Sequence, residues 1–580
     1  MDDYLNKGPH GALSGGRDKK KTAWPAVFLG AVVFACLIPF AGKAFNVDDP
    51  LYIWIARHIQ SNPMDFFGFN INWRGVLEPV YRFYENPPLS SYYMAVVAKL
   101  FGWSEAALHM AFFVFAAAAA IGTYYLAREL CSRPLTAALA GVLTPVFMIS
   151  ATTVMCDMMM TAFWVWAVFL WMRGLDKRSV PSVVLASLFI AASSLSKYVG
   201  MSLVPLLLCY SFARKQGRWA WFLLIPVAAL AGYDWITYVL YGRGLLLNAA
   251  SYAVSYPGKS FFNFIIGLVF IGGCLISVLF YSFSIWRKKA LITGALIMAV
   301  ILTFVPPGTF LEPFPGAIVR FQNDPVFHWL FITQFYLFAL GGASAMAVTF
   351  SDLWKARDSG SLLLFLWVVG IFLFLCLLNW TINARTVLLI FPPMGILIMR
   401  AIERASAPGK SSARFIPQGR FFVIAPLIPS LIIALTAALT DYNWAGSQRS
   451  AAVSIGGSYQ GQGNLWFMGH WGFQYYMEEF GGKPADFMRT AIRPGDVIVS
   501  PANNSYVLPL FLFRGYASIR ETRIDSPGWA ATMNPFAGAG FYGDKVSGPL
   551  PFIIAPVPEE KYFILTAVRP FAMRPPQAGN

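Results

Sequence analysis

The sequence predicts an all-α polytopic membrane domain of about thirteen transmembrane helices, followed by a soluble α/β domain. Three observations predict it. Of 580 residues, 57% are hydrophobic and 12% are charged, about half the ~25% charged residues of a soluble domain. Apolar segments able to cross ~30 Å of hydrocarbon recur from residue 23 to residue 440. From about Asp441 the hydrophobic runs shorten, and Gly, Ser, Asn and Pro increase.

Residues 1–22 read as a cytoplasmic tail carrying Arg17-Asp18-Lys19-Lys20-Lys21. The next segment, 23–42, reads as an uncleaved first helix. A signal peptide would have an apolar region of ~7–15 residues, and Gly42-Lys43-Ala44 is a poor cleavage site. Further spans are predicted near 105–127, 134–152, 156–173, 180–196, 198–213, 219–240, 262–286, 290–306, 329–350, 361–379, 385–403 and 420–440. Residues 87–101 are apolar but short, and read as an interfacial helix within a first outer loop of 43–103.

Charge bias supports that reading. With the N-terminus inside and 87–101 not crossing, the inside loops collect Arg128/Arg133, Arg173/Lys177/Arg178, Arg214/Lys215/Arg218, Arg287/Lys288/Lys289, Lys355/Arg357 and Arg400/Arg404/Lys410/Arg414. A crossing at 87–101 would move all later clusters outside, against the positive-inside rule. The net charge of +16 then belongs to cytoplasmic loops, not to a nucleic-acid partner. The same alternation puts the C-terminal domain, 441–580, on the outer face. There Leu465–Gly469 and Val497–Val499 read as strands and Phe473–Phe480 as a helix, the domain folding as a unit of its own. All six cysteines precede residue 380, so the C-terminal domain has no disulfide, and no zinc spacing appears.

This topology brings Asp48, Asp49, Glu85, Asp157, Lys197 and Arg385 to one face of the membrane. Ionisable groups at span ends are costly to bury and often functional. Carboxylates there can bind a cation or take a proton. The bland readings are helix caps for Asp48, Asp49 and Asp157, a solvated loop acid for Glu85, and interfacial anchoring for Lys197 and Arg385. His58, His109 and His470 read as structural histidines, and Tyr92, Tyr93, Trp164 and Trp166 as interfacial anchors.

Several motifs occur in order: Asp48-Asp49-Pro50, Glu85-Asn86-Pro87-Pro88-Leu89, Phe101-Gly102-Trp103-Ser104-Glu105, Asp157, Leu195-Ser196-Lys197-Tyr198, and Asn383-Ala384-Arg385 with Phe391-Pro392-Pro393. The set resembles the polyprenyl-phosphate-sugar glycosyltransferases of the GT-C superfamily, in particular the protein O-mannosyltransferase and lipid A aminoarabinose transferase families. The likeness is densest over residues 25–210. It departs at Asp49, where those families have Glu, and at Asn86, where the aminoarabinose transferases have Lys.

The resemblance implies an integral glycosyltransferase of the bacterial inner membrane. It would move a sugar from a polyprenyl-phosphate donor, held in membrane lipid, to a hydroxyl on a lipid, polysaccharide or protein acceptor, with inversion. Sugar transfer needs a base for the acceptor proton and positive charge for the departing phosphate. Asp48, Asp49 and Asp157 are the implied catalytic residues, with Asp48 as base. Lys197 and Arg385 would bind phosphate, and Glu85 with Asp157 would hold a divalent cation such as Mg, Mn or Zn. A transporter or flippase of lipid-linked saccharides is the rival reading. It would be marked by repeats and midplane polar residues, whereas these charges gather at one face.

Overall fold

The structure, a computed structural model, describes residues 23–255, 261–406, 420–459, 464–525 and 528–573. The basic tail 1–22 and the basic residues Lys410 and Arg414 lie outside them. Seven helices are long and apolar enough to cross a membrane: Glu105–Leu130, Cys156–Lys177, Gly217–Tyr241, Pro325–Ala356, Ser359–Leu378, Ala384–Ala405 and Phe421–Tyr459. Two bent pairs raise this to nine if each is one span. Several of the thirteen segments predicted from hydropathy are therefore shorter or broken. Pro134–Val142 and Pro145–Ala151 meet at 68°, and Phe262–Cys274 and Ser277–Ile285 at 88°. Proline has no N–H to continue a helix, and Pro145 starts the second piece of the first pair.

Leu89–Phe101 is a helix of 13 residues, about 20 Å long at ~1.5 Å per residue. That is too short to cross ~30 Å of hydrocarbon. One side packs inward through Met94 and Ala98, while Val96, Leu100 and Phe101 are exposed. Trp164 is not an interfacial anchor: it is 1% exposed and packs on Trp367.

The boundary predicted at residue 440 falls inside a helix. Leu427–Tyr459 runs for 33 residues without a break. Asp441, Trp444, Ala445 and Gln448 on it are all buried. Beyond it lies a five-stranded mixed sheet, in the order Lys483–Pro484, Leu465–Phe467, Val497–Pro501, Glu560–Ala567, Ala517–Ile524. The first three strands run parallel to one another, and Glu560–Ala567 runs antiparallel to both its neighbours. The helix Trp471–Glu479 follows the strand Leu465–Phe467, as the sequence pattern suggests.

This C-terminal region does not stand apart. Phe467, Trp471, Tyr475, Phe541 and Phe552 share one continuous core with the membrane helices. The backbone N–H of Ala384 donates to the Phe541 carbonyl at 2.8 Å, and Asp544 Oδ1 accepts from Thr381 Oγ1 and the Ile382 N–H, each at 2.7 Å. The C-terminal region thus closes over the segment that carries Arg385.

Candidate active site

Asp48 follows a tight turn. Val47 has φ +50°, a region that costs a β-branched residue steric strain. The turn is held by the Asn46 side chain, whose Oδ1 accepts the Val47 N–H at 2.8 Å. Asp48 sits at the cap position of the helix Asp49–Ser61 but makes no side-chain cap. Its Oδ2 instead accepts from Nη1 of Arg385 at 2.6 Å.

Arg385 also donates from Nε to Oδ2 of Asp157 at 2.7 Å, and Lys197 donates to Oδ1 of the same carboxylate at 2.7 Å. Four of the six residues singled out in the sequence therefore form one chain: Asp48, Arg385, Asp157, Lys197. Asp157 is in the first turn of Cys156–Lys177, Lys197 ends the helix Val180–Ser196, and Arg385 begins Ala384–Ala405.

Exposure is graded along this chain. Asp157 is 1% exposed, Arg385 10%, Lys197 19% and Asp48 32%. The ends of the chain face the mouth and its middle is buried. Formal charges cancel, as a buried ionic cluster requires. Donor capacity does not run out: an ammonium has three N–H donors and a guanidinium five. Lys197 uses one on Asp157, and Arg385 uses two on the carboxylates. Oδ1 of Asp48 has no partner among the described residues.

Asp49 takes a different part. It is fully buried, and its carboxylate accepts N–H groups from Val154 at 2.9 Å and Asn46 at 3.1 Å. It therefore ties the turn bearing Asp48 to the backbone three residues before Asp157. Burial pushes its carboxyl up to about 7, against the opposing pull of Lys43 and the two N–H groups. Both its oxygens are engaged by backbone N–H groups, which sets it apart from Asp48 with its free Oδ1.

The predicted cation site at Glu85 and Asp157 does not assemble. Both Asp157 oxygens are engaged by cations, and the charged neighbours of Glu85 are Arg74 and Arg243. Burial pushes the Glu85 carboxyl up to about 7. Among the described residues, no group of three His, Cys, Asp or Glu side chains converges on a point. With both Asp157 oxygens engaged, the Glu85 and Asp157 pair leaves a cation one free carboxylate, fewer ligands than the sequence predicts.

A second ionic cluster supports the turn from behind, and hydropathy gave no sign of it. Lys43, 1% exposed, pairs with fully buried Asp441 at 2.5 Å. Asp441 also accepts from Thr532 Oγ1 at 2.7 Å and the Tyr542 hydroxyl at 2.8 Å. Lys43 also reaches Thr152 Oγ1 at 3.4 Å. The only sequence signal was an isolated Lys five residues before Asp48 and an Asp inside an apolar helix.

The histidines His109 and His470 are both buried. His109 is fully buried, with Nδ1 2.8 Å from the Glu105 carbonyl. His470 lies 2.8 Å from Gln474 Oε1, and burial pushes it down to about 4, so it is neutral.

The chain is similar to several known proteins. No curated protein sequence matches the chain. Among solved structures, ArnT from Cupriavidus metallidurans in the apo state is similar at 13% identity, over 87% of this chain and 96% of that one, with a TM-score of 0.49. The same protein bound to undecaprenyl phosphate gives 0.46 at 13% identity, over 86% and 96%. The apo Archaeoglobus fulgidus oligosaccharyltransferase gives 0.47 at 13% identity over 81% of this chain, which spans 65% of that chain's length. The dolichyl-phosphate-mannose-protein mannosyltransferase family profile matches residues 85–233. Over that stretch, which holds Glu85, Asp157 and Lys197, the chain is similar to those mannosyltransferases, in keeping with the GT-C motifs of its sequence.

Proposed function

We propose that the protein is a membrane glycosyltransferase that moves a sugar from a polyprenyl-phosphate donor to an acceptor hydroxyl, at the membrane face where Asp48 lies. The observation that carries this reading is the ion-pair chain of Asp48, Arg385, Asp157 and Lys197. It sets an acid with a free oxygen beside cations with unused donors.

The acceptor O–H gives its proton to Asp48 Oδ1 as its oxygen attacks the sugar's anomeric carbon. The bond from that carbon to the phosphate oxygen breaks, and its electron pair leaves with the polyprenyl phosphate. The spare N–H donors of Lys197 and Arg385 hold that phosphate and stabilise its developing charge. Asp157 orients both cations and takes no proton. One displacement with no enzyme-bound sugar inverts the anomeric centre. In this reading, which the positive-inside pattern supports, the face is the outer one, and the membrane is the bacterial inner membrane that the family resemblance implies, with the donor's lipid tail among the outer halves of the helices.

The test is to incubate purified protein with polyprenyl-phosphate-linked mannose, glucose and 4-amino-4-deoxyarabinose and to measure release of polyprenyl phosphate. Release that depends on Asp48 supports the reading. Binding of lipid-linked saccharide without release from any donor, in the presence of a candidate acceptor mixture, favours a transporter.

A further inference from the structure

The helix that carries Arg385 begins after a break. The span Ser359–Leu378 ends, residues 379–383 are not helical, and Ala384–Ala405 starts the next span. The first N–H groups of a helix have no partner within it, and backbone polar groups freed at a break must be satisfied elsewhere. Here the C-terminal region satisfies them. The Ala384 N–H donates to the Phe541 carbonyl at 2.8 Å, and the Asp544 N–H donates to the Ile382 carbonyl at 2.9 Å. Asp544 Oδ1 accepts in return from the Ile382 N–H and from Thr381 Oγ1, each at 2.7 Å. The approach to Arg385 is thus pinned on both sides of Asn383 by Phe541 and Asp544.

The same short segment reaches the other side of the site. The Phe541 N–H donates to the Thr532 carbonyl at 2.8 Å. The hydroxyls of Thr532 and Tyr542 both donate to Asp441, the counter-charge of Lys43 behind the Asp48 turn. Phe541 and Tyr542 therefore tie to the support of the base, while Phe541 and Asp544 tie to the approach of the cation. The segment is itself held tightly. The Gly540 N–H donates to the Leu550 carbonyl at 2.7 Å. Gly548, at φ +143°, lies so close to Gly538 that an added Cβ would stand 2.2 Å from its carbonyl carbon. Phe541, Tyr542 and Asp544 are all buried, and the hydrogen bonds of their side chains go to Asp441, Thr381 and Ile382, not to the ion-pair chain.

We propose that Phe541–Asp544 is a positioning element of the active site, with Asp544 as its principal residue. It fixes the approach to Arg385 against the support of the Asp48 turn. It thereby sets where the guanidinium meets the two carboxylates and where its spare N–H donors lie for the donor's phosphate. Such placement matters: a shift of about 1 Å, caused far from the chemistry, can cost ~10²-fold in rate. Asp544 is not a catalytic residue, because it acts through Arg385.

This inference rests on the proposed donor class, and the experiment separates the two. The full-length protein in lipid nanodiscs would be titrated with undecaprenyl phosphate as wild type, Asp544→Ala, Asp544→Asn, Arg385→Gln and the double variant Asp544→Ala with Arg385→Gln. Asp544→Ala should weaken binding about 3–30-fold, the worth of one or two hydrogen bonds. Asp544→Asn keeps a carbonyl oxygen for both donors and should restore most of that loss. In the Arg385→Gln background Asp544→Ala should cost less than about 2-fold, since residues that act through one another are not additive. Thr381→Val, which removes one of the two donors and keeps the side chain's shape, carries the same cycle if Asp544→Ala does not fold. Full loss in both backgrounds would show a role in stability alone and overturn the inference, as would wild-type affinity of Asp544→Ala or an Asn variant no better than Ala. Failure of wild type to bind undecaprenyl phosphate would overturn the donor class, and this inference with it.

Discussion

Arg385 holds Asp48 and Asp157 at once, with Nη1 2.6 Å from Asp48 and Nε 2.7 Å from Asp157. These carboxylates belong to helices more than one hundred residues apart in sequence, and a single planar guanidinium fixes their spacing.

The first prediction concerns this bridge. Asp48→Asn keeps the size of the side chain and removes its basicity, so turnover should fall by ~10²–10⁴. Arg385→Lys keeps a positive charge, but an ammonium lacks the planar fork that reaches both acids. It should cost about 10²–10³ in turnover, the scale for losing one preorganised donor to a developing anion. Release of polyprenyl phosphate by purified variants measures both. Near-full activity of Asp48→Asn would remove the base assignment.

Asp49 should behave as a positioning residue. Asp49→Asn leaves one side-chain acceptor for the two N–H groups of Asn46 and Val154. An unsatisfied buried donor costs ~1–3 kcal/mol, so thermal stability in detergent should drop together with turnover. Donor affinity, measured separately by titration, should stay near wild type. A loss of donor affinity as large as the loss of turnover would place Asp49 against substrate after all.

The buried pair Lys43–Asp441 should be strongly coupled. Removing one partner of a buried ion pair costs about 3–5 kcal/mol, because the other charge stays behind unpaired. Lys43→Met and Asp441→Asn should each destabilise the protein, and the double variant should be more stable than the sum of the two losses implies. Additive losses in a thermal unfolding series would argue that the pair is not a unit.

Glu560 gives a pH signature in the C-terminal sheet. It is buried, accepts from Asn503 at 3.0 Å, and burial pushes its carboxyl up to about 7. An unfolded glutamate titrates near ~4.3. Between these values the folded chain keeps a proton that the unfolded chain releases, so this group's contribution falls as pH rises through that window. Glu560→Gln cannot lose the proton. Relative to wild type it should gain up to about 3 kcal/mol on going from pH 4 to pH 8. A stability difference that does not change with pH would contradict this.

Membrane orientation follows from charge bias. A single cysteine at position 288, in a cysteine-free background, should react with an impermeant thiol reagent only after the cells are permeabilised. Reaction in intact cells would reverse the assignment of faces.

That Asp48, Asp157, Lys197 and Arg385 share a face, though not that they form one ion-pair chain, was an expectation of the sequence, because span alternation and the positive-inside rule are one-dimensional arguments. They require only the order of apolar and basic segments. Three features were not legible, for separate reasons. Hydropathy averages composition and is blind to direction, so it ran through the 68° bend before Pro145 and the 88° bend before Ser277. Asp49 stood beside Asp48 and shared its motif. Its role depends on which backbone N–H groups surround it, and one of these belongs to Val154. Asp157 and Glu85 both looked available to a cation, and only the positions of Arg385 and Lys197 show that Asp157 is already engaged.

Lys43 and Asp441 are separated by 398 residues, and the other partners of Asp441 come later still, at Thr532 and Tyr542. During synthesis the lysine is made early, and its counter-charge only after nearly all the membrane helices have been inserted. The hydroxyls that complete the cluster arrive near the end of translation. A chain that stalls before residue 542 therefore carries an incompletely paired charge beside the turn that bears Asp48. The support behind that turn is therefore complete only in a late step of the chain's biogenesis.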